Sequence, residues 1–183
     1  RMTQAPPTWQ MLQQAADRAR IAADHERALA LYGQALAEAD TPWAASHAMR
    51  IARAECWLMC GDFGALDYDL TALAEEAAAL GDNARCAEAL SELVVNARLM
   101  GDLHRCCELA QRAFMAAVQA GDPVLEVATL FGRSILQVEM GNWAEARADL
   151  ETAEARLAEV DLLGRIKLRF ARGFWLLRMG DHH

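Results

Sequence analysis

Residues 81–102 read GDNARCAEALSELVVNARLMGD and so open and close on the same dipeptide. The same pair stands at Gly61-Asp62 and Gly121-Asp122, then as Gly141-Asn142, and once more at Gly180-Asp181. Consecutive copies from Gly61 to Gly141 are 20 residues apart. Glycine tolerates the left-handed conformation that follows the last turn of a helix. Asp or Asn directly after it can cap the next helix with a side-chain oxygen. The spacing therefore predicts helices of similar length, each stopped and restarted by one signal. Repeats of this size point to a solenoid.

Between the signals, helices are expected at about 9–23, 25–39, 43–60, 63–80, 84–100, 103–120, 124–140, 143–160 and 162–179. Apolar spacing supports them. Leu66, Leu70, Leu73, Ala77 and Leu80 step by four and three, as do Trp143, Ala146, Leu150, Ala153, Leu157 and Val160. The far side of the latter helix carries Glu145, Asp149, Glu151, Arg156 and Glu159, the pattern of a helix covered on one face only. Helices pair into units of about 40 residues, and the second member of each pair has its own signature. It reads Ala28-Leu29-x2-Tyr32-x2-Ala35-Leu36, then Cys106-Cys107-x2-Ala110-x2-Ala113-Phe114, then Ala146-x3-Leu150-x2-Ala153. Small residues at these positions let the two helices of a hairpin approach closely.

These residues resemble the tetratricopeptide repeat family, whose pattern places large, small and aromatic residues at fixed phases on two helices. Leu90-x2-Leu93-Val94-x2-Ala97 before Gly101-Asp102 fits it, as does Leu12-x2-Ala15-Ala16-x2-Ala19 before Ala28 and Tyr32. Gly173 stands where the family's small residue belongs, whereas Arg50, Arg53 and Arg133 stand where it prefers apolar residues. The period exceeds the family's roughly 34 residues, lengthening each helix by nearly one turn. The resemblance implies an all-α, α/α superhelical solenoid of tetratricopeptide-like hairpins. An N-terminal tail, 1–8, would precede units at about 9–42, 43–82, 83–122 and 123–161 and a half unit at 162–181. A plain helical bundle and a HEAT-type array are the alternative all-α architectures. Long units of this kind look like those of bacterial regulators, in which the repeats sense a peptide or protein for an attached output domain. Arg1 ahead of Met2, and a last residue pair where earlier units begin a second helix, suggest an N-terminal fragment of such a protein.

Composition narrows the function. A net charge of −8 and a pI near 5.1 disfavour a nucleic-acid footprint, which needs clustered Lys and Arg. No window approaches 18 uncharged apolar residues, so no membrane span is expected, and no secretory signal is visible. The five cysteines are irregularly spaced, as in a reducing cytoplasm. No phosphate loop, H-E-x-x-H or G-x-S-x-G motif occurs, so neither catalysis nor a cofactor is expected. Cys56 and Cys60 lie one turn apart, Cys106 and Cys107 are adjacent, and Cys86 and His104 are near in sequence. No CxxC pair exists, so packing is the simplest role for these thiols, and a metal or redox sensor the lesser reading. Trp57 and Trp143 fall on inward stripes, and His25 and His47 near helix starts.

In the family the first helix of each pair lines the concave surface, where partner segments bind. Helical phase then makes Gln13, Asp17, Ile51, Glu55, Ser91, Val95, Arg98, Phe131, Ile135, Phe170 and Phe174 the groove-facing residues. Core packing would suit Phe131 and Ile135 equally, and periodicity does not separate the two. The Lys and Asn cluster with which chaperone-binding members clamp a terminal carboxylate is absent. The last helix carries two apolar stripes, Leu168, Ala171, Trp175 and Met179 on one side and Ile166, Phe170, Gly173 and Leu177 on the other. A surface helix needs only one. Ile166, Phe170, Leu177 and Trp175 are therefore the expected interface, with a second copy of the chain as the candidate occupant. The function expected is a non-enzymatic protein- or peptide-binding scaffold, with self-association as the alternative.

Overall fold

The computed structural model describes residues 6–156 and 162–180. Among them the chain forms α1 (Thr8–Ile21), α2 (His25–Leu36), α3 (Trp43–Cys60), α4 (Phe63–Ala79), α5 (Asn83–Leu99), α6 (Leu103–Ala120), α7 (Pro123–Glu139), α8 (Trp143–Glu154) and α9 (Leu162–Gly180), with no strand among the described residues. Leu157 and Val160, expected to extend α8, and Asp181 lie outside the described residues, as do the side chains of Lys167 and Leu168.

The punctuation works as its chemistry requires. Gly61, Gly81, Gly101, Gly121 and Gly141 all adopt φ between 65° and 78°. The next residue's amide reaches back to close the preceding helix, Asp82 to the Ala77 carbonyl at 2.9 Å and Asn142 to that of Gln137 at 2.8 Å. The Asp carboxylate then accepts from the new helix: Asp62 from Ala65 N–H at 2.9 Å, Asp102 from Arg105 N–H at 3.0 Å, and Asp122 from Val124 N–H at 2.9 Å. Asn142 differs, making no side-chain cap and donating instead to the Gln137 side chain. The turn between α1 and α2 uses Ala23 at φ 60°, with Asp24 as the cap. The helix expected to reach residue 39 stops at Leu36, because Thr41 Oγ1 takes the Ala35 carbonyl and Pro42 disfavours helical geometry in the residue before it.

The chain divides into two compact units, Arg1–Leu73 and Ala74–His183, the boundary falling within α4. In the first, α1 packs on α2 and α2 on α3. Ala16, Ala19, Ala28 and Ala35 bring the helices close around Tyr32, Met49 and Cys56. In the second, α5 packs on α6, α6 on α7, α7 on α8, and α9 on both α7 and α8, while α5 also touches α7. Leu90, Leu93, Leu109, Leu130, Leu136 and Leu150 are buried there. On α4 the stripe Leu66, Leu70, Leu73 and Ala77 is buried, whereas Leu80, just past the helix end, is exposed. His47 is buried, against the surface position expected, with its ring edge-on to Trp43. Trp57 and Trp143, expected in the core, are half-buried, their indoles being too large for hairpins spaced by alanine.

Candidate functional site

Within the second unit α5, α6 and α7 enclose a cavity of about 730 Å³. Ser91, Glu92, Val94, Val95, Arg98 and Leu99 line it from α5, and Phe131, Gly132, Arg133, Ile135 and Leu136 from α7. The small residues Ala110 and Ala113 form the α6 side. Five groove residues expected from helical phase, Ser91, Val95, Arg98, Phe131 and Ile135, thus meet on one cavity. Phe131 and Ile135 are half-buried, so they line its wall and are not sealed in the core. Gly132 leaves the wall open, since a Cβ there would meet nothing within 4 Å. Ser91 spends its hydroxyl on the Ala87 carbonyl at 2.8 Å.

Charge around the cavity is mostly spent within the fold. Arg98 pairs with Glu139 of α7. Arg133 donates to both Asp149 oxygens, at 2.8 and 2.5 Å, and to Gln111 at 2.7 Å, with its guanidinium 4.4 Å from the Phe114 ring centre. Glu92 is accessible at the rim, yet apolar side chains crowd it. Their desolvation first, and then the like charge of Glu88, push its carboxyl above the usual carboxylate range.

The remaining expected groove residues do not join this site. In the first unit Asp17 accepts from the buried Tyr32 hydroxyl at 2.5 Å, and Glu55 pairs with Arg20 at 2.6 Å. Burial and the Asp17 carboxylate together push the Tyr32 hydroxyl up, so it stays a neutral donor. Both acids therefore stitch α1, α2 and α3 together. Gln13 and Ile51 are half-buried beside them, and none of these four residues lines the α5–α7 cavity. On α9, Phe170 stands 64% exposed, while Phe174 lies under Arg178, whose guanidinium is 6.0 Å from its ring centre. Neither lines the α5–α7 cavity. The two stripes of α9 separate as their spacing predicts: Ala171 is buried and Trp175 half-buried, whereas Ile166 and Leu177 are more than half exposed. Trp175 turns inward, donating to the Trp143 carbonyl at 3.2 Å, so it belongs to the packing of α9 on α8 and not to an open interface.

All five cysteines are free, and Cys56, Cys86 and Cys106 are buried. Desolvation pushes the thiols of Cys56, Cys86, Cys106 and Cys107 up, that of Cys56 to about 11, which opposes thiolate chemistry at neutral pH. Among the described residues no group of three or more His, Cys, Asp or Glu is placed to hold a metal ion. No helix among them is long and apolar enough to cross a membrane.

Sequence reasoning missed why arginine stands at family-apolar positions. Arg50 and Arg53 of α3 both bind the buried Asp69 of α4, Arg53 with Nε at 2.8 Å and Nη2 at 2.5 Å. Arg133 binds Asp149 in the same way on α7 and α8. Arg53 and Arg133 each lie 16 residues before their Asp. The matching pair in the α5–α6 hairpin is Leu93 and Leu109, both buried. The signal was in the sequence: Arg and Asp replace two leucines together, at one repeat phase.

No family model matches the chain, and no characterised protein matches it in sequence. Solved structures do. A kinesin light chain-like protein from Podosopora anserina, built of nearly identical TPR-like repeats, superposes with a TM-score of 0.72 at 14% identity, over 98% of this chain and 90% of that one. A single-substitution variant of it gives the same TM-score and identity over 94% and 86%. At such identity the likeness shows the fold alone, an all-α solenoid of TPR-like helical hairpins. That fold is generally a scaffold for protein–protein interaction.

Proposed function

We propose that this chain is a non-enzymatic scaffold that takes a peptide segment of a protein partner in the α5–α7 groove, as the interaction or sensory part of a larger bacterial regulator in the cytoplasm. The observation that carries the reading is the convergence of Val95 and Arg98 with Phe131 and Ile135 on one half-open cavity. Its volume is within the roughly 300–1,000 Å³ of ligand sites, and its walls are apolar with a few polar groups, the usual make-up of such sites. The acidic net charge and the high-lying thiols give no support to nucleic-acid binding or to a cysteine-based sensor.

The test uses peptides enriched from a displayed random library on the wild-type chain. Gly132→Leu fills the cavity from a position with open space above it and trades glycine for a better helix former. It should hold or raise the unfolding midpoint while removing binding, and Phe131→Asp should remove binding with helicity intact. Unchanged affinity in Gly132→Leu would exclude the groove. Loss of helicity in Phe131→Asp would make that residue part of the core.

A second reading, self-association through α9, is favoured by one observation: Ile166, Phe170 and Leu177 are 54%, 64% and 66% exposed on a single helix. That helix carries Arg165, Lys167, Arg169, Arg172 and Arg178 and no acid, in a chain of net charge −8. A second copy would therefore meet it with an acidic face and not with its own α9. Sedimentation of wild type against Phe170→Glu with Leu177→Glu decides this reading: a concentration-dependent dimer lost in the variant supports it, and a strict monomer removes it.

A further inference from the structure

Three charged side chains reach the α5–α7 cavity, and two are already satisfied: Arg98 by Glu139, and Arg133 by Asp149, Gln111 and the Phe114 ring. Glu92 is the third. No hydrogen-bond donor or cation among the described residues meets its carboxylate, and the nearest charge on its own helix is that of Glu88, of the same sign. Around it the wall is hydrocarbon, from Val95 and Leu99 to Phe131 and Ile135. An acid placed there raises the free energy of the ionised protein and returns nothing to the fold. Elsewhere on these first helices Asp17 sits against Tyr32, Glu55 against Arg20, Glu126 against Arg156 and Glu139 against Arg98.

We propose that Glu92 is the specificity-determining acid of the groove and takes a Lys or Arg side chain of the bound peptide, whose neighbouring apolar residues fill the space between Val95, Phe131 and Ile135. The inference rests on the groove being the peptide site. The complementarity has two parts. A cation supplies the missing partner and offsets the like charge of Glu88 beside the apolar wall. An anion would meet Glu92 at the rim and find both arginines engaged. The groove therefore selects apolar–cationic segments and rejects acidic ones.

The experiment pans a phage-displayed random dodecapeptide library against the wild-type chain and against Glu92→Gln, Glu92→Lys and Gly132→Leu. Wild type should enrich peptides with Lys or Arg within a few residues of an apolar side chain. Glu92→Gln should lose the cation preference, and a wild-type-selected peptide should bind it about two- to fivefold more weakly, as removing one member of an accessible ion pair does. Glu92→Lys should enrich acidic peptides instead. If Glu92→Gln keeps the same cationic peptides at unchanged affinity while Gly132→Leu loses them, Glu92 has no such role and the groove stands. If Gly132→Leu keeps them, or wild type enriches nothing, the groove reading falls and this inference with it.

Discussion

The two compact units present the same helix faces with opposite uses of charge. In the first unit the face shared by α1 and α3 offers Asp17 and Glu55, and both acids are consumed by Tyr32 and Arg20. In the second, α5 and α7 surround a cavity of about 730 Å³ with one acid, Glu92, that nothing in the fold consumes. The repeat phase that holds Glu55 in the first unit holds Val95 in the second, and Glu92 stands about one turn earlier on the same helix. A site is marked less by where charge lies than by whether the fold has already used it.

Breaking a used pair should cost most. Asp69→Leu would leave Arg50 and Arg53 without the carboxylate they share, a loss of about 3–5 kcal/mol. Asp149→Leu should behave alike for Arg133. The double change Arg133→Leu with Asp149→Leu rebuilds the leucine pair seen at Leu93 and Leu109 and should return to within about 1 kcal/mol of wild type, or above it. Denaturant unfolding of the three variants checks this. A double variant as unstable as its singles would mean that the ion pair has no apolar equivalent.

Tyr32→Phe should cost the first unit about 1–2 kcal/mol, because it leaves Asp17 without its buried donor. A calorimetric scan showing no loss would mean that Asp17 is free for a ligand, and the contrast between the units would weaken. The corners offer a smaller effect of the opposite sign. The left-handed corners at 61, 81, 101, 121 and 141 are glycine, but the α1–α2 corner uses Ala23 at φ 60°. Ala23→Gly should therefore stabilise by about 1 kcal/mol, whereas Gly101→Ala, with φ 77°, should destabilise. Equal responses at the two corners would refute the account of the turns.

Glu92→Gln should give the smallest shift, and its pH dependence carries the information. The folded carboxyl is held above its unfolded value, so its favourable contribution is present at low pH and is lost as pH rises through the raised folded value. The substitution should therefore raise the unfolding midpoint at neutral pH and leave it nearly unchanged in acid. The charged groups around it are Glu88 and Arg98 on α5 and Arg133 on α7, while α6 contributes only Ala110 and Ala113. A midpoint that falls at neutral pH would mean that Glu92 has a partner within the fold.

The architecture was almost entirely legible in the sequence, because Gly-Asp punctuation acts locally: the αL corner and the following cap are set by two adjacent residues. The groove was half legible. Helical phase brought Ser91, Val95, Arg98, Phe131 and Ile135 to one face, since all five follow the same repeat geometry. Phase could not tell that Asp17 and Glu55 were committed elsewhere, because their partners Tyr32 and Arg20 come from turns whose spacing only the packed hairpin fixes. His47 was misplaced for a similar reason: a helix start is exposed only if no neighbouring ring covers it, and Trp43 does. Trp175 was read as an interface because an apolar stripe does not record which of its members finds a carbonyl.

The contrast between the two units can be tested in a single measurement: amide hydrogen exchange across the whole chain, with and without the tightest peptide from the library selection. The account predicts that the peptide slows exchange in α5 and α7, over 91–99 and 128–136, and leaves α1 and α3 unchanged. Slowing confined to α1 and α3, or to α9, would contradict it.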